Sequence, residues 1–229
     1  MKIIAIVQAR MGSTRLPGKV LKKLVGRSAI ELLLVRLSQS KLIDEICVAT
    51  SVHEENDALC DEVLRLSFKI IRGSETDVLE RFQQAALATS ADIIVRITGD
   101  CPVVDPKVVD AVINLFLQNN VDYASNIAPP TFPDGLDVEV FTKNVLATVH
   151  LEAKSSFDRE HVTPYIRNGN FTKVNLDAAV DSSGLRLTLD EPEDLQLLSE
   201  IFEHFAPNIH FSSDKVIKYL RENSHKLQI

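Results

Sequence analysis

The chain has 229 residues, of which 45% are hydrophobic and 25% charged, and its formal net charge is −7 at pH 7. This length and composition predict one globular domain rather than two full ones. The acidic balance argues against general nucleic-acid binding, and three cysteines without C-x-x-C spacing give no sign of a disulfide framework or a zinc site. The sequence shows neither a signal peptide nor an apolar run of membrane-spanning length, so we expect a cytoplasmic protein without membrane contact.

The first half of the sequence predicts alternating strands and helices. Short β-branched runs are typical of buried strands, and spaced apolar residues after a capping motif are typical of helices. The predicted strands are residues 3–7, 46–50, 69–72 and 92–98. The predicted helices are residues 28–37, a helix that starts from a capping motif at 51–54, about 76–89, and 105–117. Successive units of this kind predict an α/β fold, with a mostly parallel twisted sheet and helices on both faces.

The second half is less regular. Residues 128–135 are a proline-rich loop, and residues 136–141 alternate in the manner of an exposed-edge or antiparallel strand. The remaining predictions are a helix at about 142–153, a loop and short helix at 158–168, strands at 171–176 and 185–189, and helices at 192–205 and 213–221.

The densest group of candidate binding residues follows the first predicted strand. Residues 8–19, QARMGSTRLPGK, contain glycines, arginines, a lysine and hydroxyl groups but no acid. Close backbone approach and clustered cations favour an anion, above all a polyphosphate. The spacing of Gly12, Gly18 and Lys19 is not that of a P-loop, and G-x-G-x-x-G is absent here. A solvated basic turn is the alternative interpretation.

Together with later motifs, this segment resembles the opening signature of the sugar cytidylyltransferases, the CMP-sugar-acid synthetase group. It is most similar to the SpsF-type branch, which takes part in spore-coat polysaccharide biosynthesis. The later motifs are RGSETD at 72–77, TGDCP at 98–102, FPDGLDVE at 132–139, DREHVTP at 158–164 and LDEPEDL at 189–195. The resemblance implies a Rossmann-like fold of the nucleotide-diphospho-sugar transferase, GT-A type. It also implies CTP as co-substrate, Mg²⁺, a small sugar acceptor and a homodimer.

The resemblance further implies two magnesium ligands. Asp100 follows the fourth predicted strand, where a carboxylate beside a polyphosphate loop suits Mg²⁺. Asp190 matches an aspartate that binds metal in the family, although Glu191 departs from the family's pattern. Local chemistry leaves an alternative for each residue. Asp100 could cap the turn before Pro102, and Asp190 could be the N-cap of the next helix.

The nucleotide is expected along the same edge of the sheet. Arg10, Arg15 and Lys19 would neutralise charge on the triphosphate, so with Asp100 they are the candidate catalytic residues. Residues 72–74 end the third strand, where the base and ribose would lie. The candidate nucleotide-binding residues are Gln8, Ala9, Arg10, Gly12, Ser13, Arg15, Lys19, Arg72, Gly73 and Ser74.

Candidate acceptor-binding residues come from the second half. Asp137 and Glu139 are two positions apart and would share one face of a strand, either to bind sugar hydroxyls or as an acidic solvent face. Arg159 and His161 could bind an acceptor carboxylate or phosphate. The full set is Asp134, Gly135, Asp137, Glu139, Arg159 and His161.

We therefore expect one domain over residues 1–229. It has a nucleotide-binding half at about 1–120, acceptor-binding elements at about 121–190 and C-terminal helices at 191–229. The expected activity is Mg²⁺-dependent transfer of CMP from CTP to a sugar acid or related sugar, with release of pyrophosphate, in surface polysaccharide or glycoconjugate biosynthesis. CTP is implied by the family, whereas the residues alone indicate a nucleoside triphosphate.

Two other functions remain open from the sequence. The first is a glycosyltransferase, or a sugar-1-phosphate nucleotidyltransferase of the same fold that uses another nucleotide. Residues 100–105 do not form the D-x-D motif of such glycosyltransferases, and residues 137–139 approximate it loosely. The second is a non-catalytic nucleotide- or sugar-binding partner protein, although such a protein has no catalytic use for Lys19, Asp100 and Asp190 together.

Overall fold

The computed structural model describes residues 1–227, with side chains through residue 223. Its strands are β1 (Ile3–Gln8), β2 (Lys23–Leu24), β3 (Arg27–Ser28), β4 (Glu45–Ser51), β5 (Lys69–Gly73), β6 (Ile93–Thr98), β7 (Tyr123–Ser125), β8 (Glu139–Thr142) and β9 (Lys173–Asn175). Its α-helices are α1 (Ala29–Leu37), α2 (Asp57–Arg65), α3 (Val78–Thr89), α4 (Pro106–Asn119), α5 (Lys143–Glu152), α6 (Ser156–His161), α7 (Pro164–Asn168), α8 (Pro192–Phe205) and α9 (Ser213–Leu227).

Among the described residues, seven strands form one sheet in the order β5-β4-β1-β6-β8-β7-β9. The pairs β5–β4, β4–β1 and β1–β6 are parallel, and β8 runs antiparallel to both β6 and β7. The predicted mostly parallel sheet is confirmed. The residues that follow β1 and β6 meet at one edge of the sheet because these central strands are parallel neighbours.

Helices cover both faces of the sheet, as predicted. On one face, apolar residues of α1, α2 and α4 pack against alternate residues of β1, among them Ala5 and Val7. On the other face, α3 and α5 pack against Ile4 and Ile6. A third apolar cluster joins Leu16 and the segment after it to α8 and α9. The loop formed by residues 8–19, the opening loop, is therefore anchored to these helices by hydrophobic contacts.

The structure corrects three local predictions. Ser51 does not cap α2: its hydroxyl accepts hydrogen bonds from the backbone of His53 and from the Asn56 side chain, and a short 3₁₀ helix precedes α2. Residues 185–189 contain only an isolated bridge from Arg186 to Asp134 instead of a strand. Of the two alternatives for residues 136–141, the structure shows the antiparallel strand and not the exposed edge, and the strand begins later, at Glu139.

Within the described residues, no helix combines the length and the apolar character needed to cross a membrane.

Candidate active site

The candidate site lies where β1 and β6 end. The backbone N–H of Gly99 donates a hydrogen bond of 2.8 Å to the Gln8 carbonyl, so the two strand ends are in direct contact. A Cβ atom at Gly99 would lie only 2.7 Å from Cβ of Ala9, which explains why the position needs glycine. Between these ends and helices α3 and α6 is a cleft of about 200 Å³, the central cleft. Its lining residues are Gln8, Ala9, Arg10, Lys19, Val20, Val78, Arg81, Thr98, Gly99, Asp100, Glu160 and His161.

A larger cavity of about 690 Å³ lies between α4 and α9 and is lined by none of the predicted site residues. The greater size of this cavity does not make it the better candidate site. The central cleft has the polar groups, and it lies at the carboxyl ends of the strands, where ligand sites of this fold class occur.

The opening loop is held in a fixed shape by polar contacts as well as by its apolar residues. The Asn56 side chain accepts a 2.8 Å hydrogen bond from the backbone N–H of Met11. The Met11 carbonyl in turn accepts a 3.1 Å hydrogen bond from Gly18, and Leu16 is buried. The loop turns back on itself and brings Lys19 to the end of β6, while Gly12 and Ser13 lie outside the lining of the central cleft.

The centre of the site is an ammonium group between two carboxylates. Nζ of Lys19 lies 2.6 Å from Oδ2 of Asp100 and 2.5 Å from Oδ1 of Asp190. The two aspartates are 90 positions apart, and a backbone hydrogen bond of 2.8 Å from Leu189 to the Asp100 carbonyl holds their segments together. The structure brings Lys19, Asp100 and Asp190 together at one point, whereas their predicted roles in binding phosphate and magnesium stay predictions.

Electrostatics keep Lys19 and Asp100 ionised. Burial lowers the pKa of Lys19, but the charges and hydrogen bonds of Asp100 and Asp190 raise it by more, so the net pKa lies above the ordinary value. Burial raises the pKa of Asp100, whereas the Lys19 charge and hydrogen bond lower it by more, so the net pKa lies below the ordinary value. Near neutral pH the site therefore presents a charged carboxylate at Asp100 and a charged ammonium at Lys19.

Asp190 is not the N-cap of α8. The cap position is Glu191, and the backbone N–H groups of Asp190 and Glu191 both donate to Oδ2 of Asp194 at 2.8 Å. The Asp190 carboxylate is thereby left for Lys19, for Arg15 at 3.4 Å and for Arg186 at 3.4 Å. The alternative interpretation of Asp190 as a helix cap was wrong, and its carboxylate faces the cations of the opening loop.

The two loop arginines differ in how firmly they are held. Arg15 is exposed and donates a 2.8 Å hydrogen bond to Glu191. Arg10 lies 3.7 Å from Glu75 and 3.8 Å from Glu160, which is beyond hydrogen-bond range. Arg10 lines the central cleft and can turn toward an anion there without giving up a hydrogen bond to either carboxylate.

Residues 72–74 lie at the end of β5 but do not line the central cleft. Arg72 donates to the carbonyls of Ser51 and His53 and to the Asp57 carboxylate at 2.7 Å, so it stabilises the segment after β4. The hydroxyl of Ser74 accepts a hydrogen bond from the backbone of Asp77, the N-cap of α3. These contacts show a structural role for the Arg72 side chain, and base binding by this segment stays a prediction.

The predicted acceptor residues Asp134, Gly135 and Asp137 lie outside the lining of the central cleft. The chain near Gly135 packs against residues 185–188, and a Cβ at Gly135, where φ is +101°, would lie 2.7 Å from the backbone of Leu187. Asp137 lies just before β8. Burial first, and then the neighbouring charges of Asp134 and Glu139, raise the pKa of Asp137 to about 7.

Glu139 differs from its prediction. Its side chain is 1% exposed, pairs with Arg96 and accepts a 2.5 Å hydrogen bond from the hydroxyl of Tyr123. Burial raises the pKa of Glu139, but the Arg96 charge and the hydrogen bonds of Thr163 and Tyr123 together lower it by more, so the pKa lies below its ordinary value and the carboxylate stays ionised. A carboxylate enclosed in this way stabilises the sheet and cannot contact a sugar directly. Arg96 also donates to Oε1 of Gln8 at 3.1 Å, which orients the Gln8 amide at the central cleft.

The two predicted residues of α6, Arg159 and His161, have different surroundings. Arg159 donates to Asp77 at 2.6 Å and to the carbonyls of His150 and Ala153, so it joins α6 to the ends of α3 and α5. These bonds give Arg159 a structural role, and its prediction as an acceptor contact stays a prediction. His161 is exposed and lines the central cleft, where acceptor binding remains a prediction.

Sequence reasoning missed Arg81. This arginine lies on α3, is 2% exposed and lines the central cleft. A signal was present: Arg81 shares the helix face of Val78, Phe82 and Ala85, which are otherwise apolar and buried. A charged residue on the buried face of an amphipathic helix marks a position with a special task.

The described residues contain no group of three or more His, Cys, Asp or Glu side chains arranged as a metal cage. Mg²⁺ does not need one, since it commonly binds through one or two carboxylates together with substrate phosphates and water. Asp100 and Asp190 already share one cation, the Lys19 ammonium, so their oxygens converge as a divalent ion requires. The residues present therefore fit a magnesium ion.

Comparisons with known proteins agree with this geometry. The family model described as "Cytidylyltransferase" matches residues 4–223. The spore coat polysaccharide biosynthesis protein SpsF of Bacillus subtilis (strain 168) is 34% identical, over 96% of this chain and 95% of that protein. A cytidylyltransferase structure from Leptospira borgpetersenii is 33% identical and superposes with a TM-score of 0.95, over 100% of this chain and 97% of that chain.

A more distant structure shares the fold alone. CMP:2-keto-3-deoxy-manno-octonic acid synthetase, solved in complex with CTP, is 19% identical with a TM-score of 0.68, over 89% of this chain and 99% of that chain. The predicted nucleotide-diphospho-sugar transferase type of fold is confirmed by these structural neighbours.

Proposed function

The chain belongs to the cytidylyltransferase family, and from this premise we propose that it transfers CMP from CTP to a sugar acid or a related sugar in a Mg²⁺-dependent reaction. The observation that carries the proposal is the Lys19 ammonium held between Asp100 and Asp190 at the carboxyl ends of β1 and β6. The CTP complex of the structurally similar synthetase supports CTP as the donor. SpsF supports a role in polysaccharide biosynthesis.

The reaction is an in-line substitution at phosphorus. A hydroxyl oxygen of the acceptor attacks the α-phosphorus of CTP and loses its proton. The bond from the α-phosphorus to the bridging oxygen breaks, and pyrophosphate leaves with the electron pair. The protein's task is to position the two substrates and to stabilise the negative charge that develops on the phosphates.

The cations of the opening loop supply that charge stabilisation. Lys19 is kept protonated by its two carboxylates, so it is available as an ammonium when phosphate oxygens enter. Arg10 is within 4 Å of two carboxylates but hydrogen-bonded to neither, and Arg15 is exposed at the mouth of the site. Arg10 and Arg15 can therefore exchange weak or exposed contacts for phosphate oxygens at little cost.

Asp100 and Asp190 would hold the magnesium ion. When bound there, the ion polarises the α-phosphate. Asp134 and Asp137 lie close enough to Asp100 for its charge to raise the pKa of both, and we assign acceptor hydroxyl binding to these two residues.

The direct test has two steps. First, the thermal stability of the protein is measured with CTP, UTP, GTP and ATP, each with and without Mg²⁺; a ligand at about 100 times its Kd adds roughly 2.7 kcal/mol to the free energy of unfolding. We expect stabilisation by CTP that is larger with Mg²⁺. Second, pyrophosphate release is measured with a panel of sugar acids. Preference for another nucleotide, or binding without turnover on any acceptor, would contradict the proposal.

Two accompanying expectations remain predictions: a homodimer and a cytoplasmic location. Light scattering of the purified protein after gel filtration decides the first, since a monomer mass would contradict it. Fractionation of cells that express the native gene decides the second.

A further inference from the structure

Arg81 is the most deeply buried cation of the central cleft. It lies on α3, about one turn after the first helical residue, Val78, and is 2% exposed. Neither Nε nor Nη1 is accessible to solvent, and neither has a hydrogen-bond partner among the described residues. A buried guanidinium without partners is costly, because its N–H groups have lost water and received nothing in return.

The second deeply buried arginine of the described residues shows the contrast. Arg36 is 1% exposed, and its guanidinium donates to the backbone carbonyls of Val103, Val104, Ile209 and Phe211. Its guanidinium also lies 4.4 Å from the Phe211 ring centroid. The Arg36 guanidinium is thus hydrogen-bonded to the protein through all three of its nitrogens, whereas Nε and Nη1 of Arg81 have no partner among the described residues.

The acids nearest to Arg81 do not complete its bonding. Asp77 accepts from the backbone of Glu80 and from Arg159, so it is occupied as a helix cap and as the partner of α6. Glu75 raises the pKa of Arg81, opposing the stronger effect of burial, but the two groups form no ion pair within 4.0 Å among the described residues. Glu75 itself has a buried oxygen, Oε2, without a partner there.

We propose that Arg81 is an oxyanion-binding residue of the central cleft, which receives a phosphate of the nucleotide or the carboxylate of an acidic acceptor. The unpaired N–H groups are donors, the cleft that Arg81 lines also contains Arg10 and Lys19, and a guanidinium binds such planar or tetrahedral oxyanions with several hydrogen bonds at once. This inference deepens the proposed function and rests on it for the two sources of the oxyanion.

The test begins with binding to the whole protein by calorimetry. Wild type, Arg81→Met and Arg81→Lys are titrated separately with CTP, with cytidine, with inorganic pyrophosphate and with the sugar acid 2-keto-3-deoxy-manno-octonate, so that no turnover occurs. Arg81→Met keeps the length of the side chain and removes its charge. We expect a loss of affinity of about 10- to 100-fold in Arg81→Met for the ligand that carries the oxyanion, with part of it recovered in Arg81→Lys.

The pattern of losses identifies the source. Weaker binding of CTP and pyrophosphate with unchanged binding of cytidine assigns a phosphate. Unchanged CTP binding, with weaker binding of the probe 2-keto-3-deoxy-manno-octonate, assigns the acceptor carboxylate. Unchanged affinity for all these probes in Arg81→Met overturns the proposal. A wild-type protein that binds no CTP refutes the proposed function instead, and pyrophosphate alone then decides the role of Arg81.

Stability without ligand separates binding from folding. Because Arg81 has no partners to lose, Arg81→Met is expected to melt at the wild-type temperature or above it. The matched control is Arg36→Met, which leaves four carbonyls without their donor and is expected to melt clearly lower. A fall in Arg81→Met as large as that in Arg36→Met would show a structural arginine and overturn the proposal.

Discussion

Two clusters of the same chemical groups lie close together in this protein, and they do different work. In the open cluster, Lys19 bridges Asp100 and Asp190, and the three side chains are 14%, 23% and 22% exposed. In the closed cluster, Arg96 and Tyr123 enclose Glu139, which is 1% exposed. Both clusters have a member on β6 or directly after it, and Gln8 contacts the closed one through Arg96.

The difference is one of remaining bonding capacity. Glu139 bonds to protein on all sides, so the closed cluster can only fix the strands that it joins. The open cluster is reached from the central cleft, and its three side chains are partly exposed, so its groups can still bond to a ligand. Partial exposure therefore marks the functional cluster better than charge does. Four predictions follow from this contrast.

The largest effect is expected in the open cluster. Asp100→Asn removes a carboxylate that would bind magnesium and leaves the fold intact, because the amide can still accept from Lys19. We expect turnover to fall by about 10³-fold, roughly 4 kcal/mol in the activation free energy, as measured by pyrophosphate release. The melting temperature should change little. Asp61→Asn, on the exposed face of α2, is the control, and full activity of Asp100→Asn would remove Asp100 from the metal site.

In the closed cluster the same kind of change should act on stability. Glu139→Gln leaves the Arg96 guanidinium without its counter-ion in a buried position, so we expect the free energy of unfolding to fall by about 3 kcal/mol in urea titrations. The half-saturating Mg²⁺ concentration should stay at the wild-type value. Glu152→Gln makes the same change at an exposed carboxylate that also accepts from a tyrosine, Tyr165, and should cost less than about 0.5 kcal/mol. Equal losses in the two variants would refute the contrast.

Tyr123→Phe tests the closed cluster more gently. It deletes one hydroxyl that donates to Glu139 and leaves the ion pair with Arg96 in place. The expected loss is about 1.5 kcal/mol in the free energy of unfolding, the usual size for a hydrogen bond to a charged group. Tyr165→Phe removes the exposed counterpart and should be near neutral. Urea denaturation measures both, and a Tyr123→Phe variant as stable as wild type would mean that water replaces the hydroxyl.

Local signals in the sequence placed two members of the open cluster, Lys19 and Asp100, whereas the role of Asp190 was implied by the family resemblance. A glycine- and cation-rich loop after a buried strand and an aspartate at the end of another both indicate the same edge of a parallel sheet, so Lys19 and Asp100 could be placed together. Helix ends with a cap or proline, as at Ser28, Asp105 and Pro192, were predicted to within a residue. These features depend on neighbours a few positions away.

What the sequence could not decide depends on distant partners. The role of Glu139 is set by Arg96, 43 positions away, and that of Arg159 by Asp77, 82 positions away. Asp190 looked like a helix cap until Asp194 was seen to accept both backbone N–H groups. Residues 185–189 are apolar enough for a strand, yet they find only a bridge at Asp134 to pair with. In each case the local pattern was compatible with two roles, and tertiary contacts selected one.

The smallest effect is expected at Asp137, whose pKa is affected by charges from both clusters. Its folded-state pKa is about 7, above the ordinary value, through burial and the charges of Asp134, Glu139 and Asp100, with Arg96 opposing them. The folded protein therefore retains a proton that the unfolded chain loses. At pH values below the ordinary carboxyl pKa, Asp137 does not lower the free energy of unfolding. Its destabilising effect on the folded protein grows as the pH rises from about 4 to 7 and is complete above 7.

Asp137→Asn is neutral at every pH, so its stability advantage over wild type should grow over the same range. Because Asp137 is partly exposed, we expect solvent screening to limit the advantage to about 1 kcal/mol at pH 8. Thermal melts of both proteins at pH 4, 6 and 8 measure it, and Asp61→Asn supplies the background for an exposed aspartate. A constant difference across the three pH values would place Asp137 with the solvated carboxylates. A difference that grows with pH would show that Asp137 takes up or releases a proton near neutral pH. A group that deprotonates an acceptor hydroxyl must do the same.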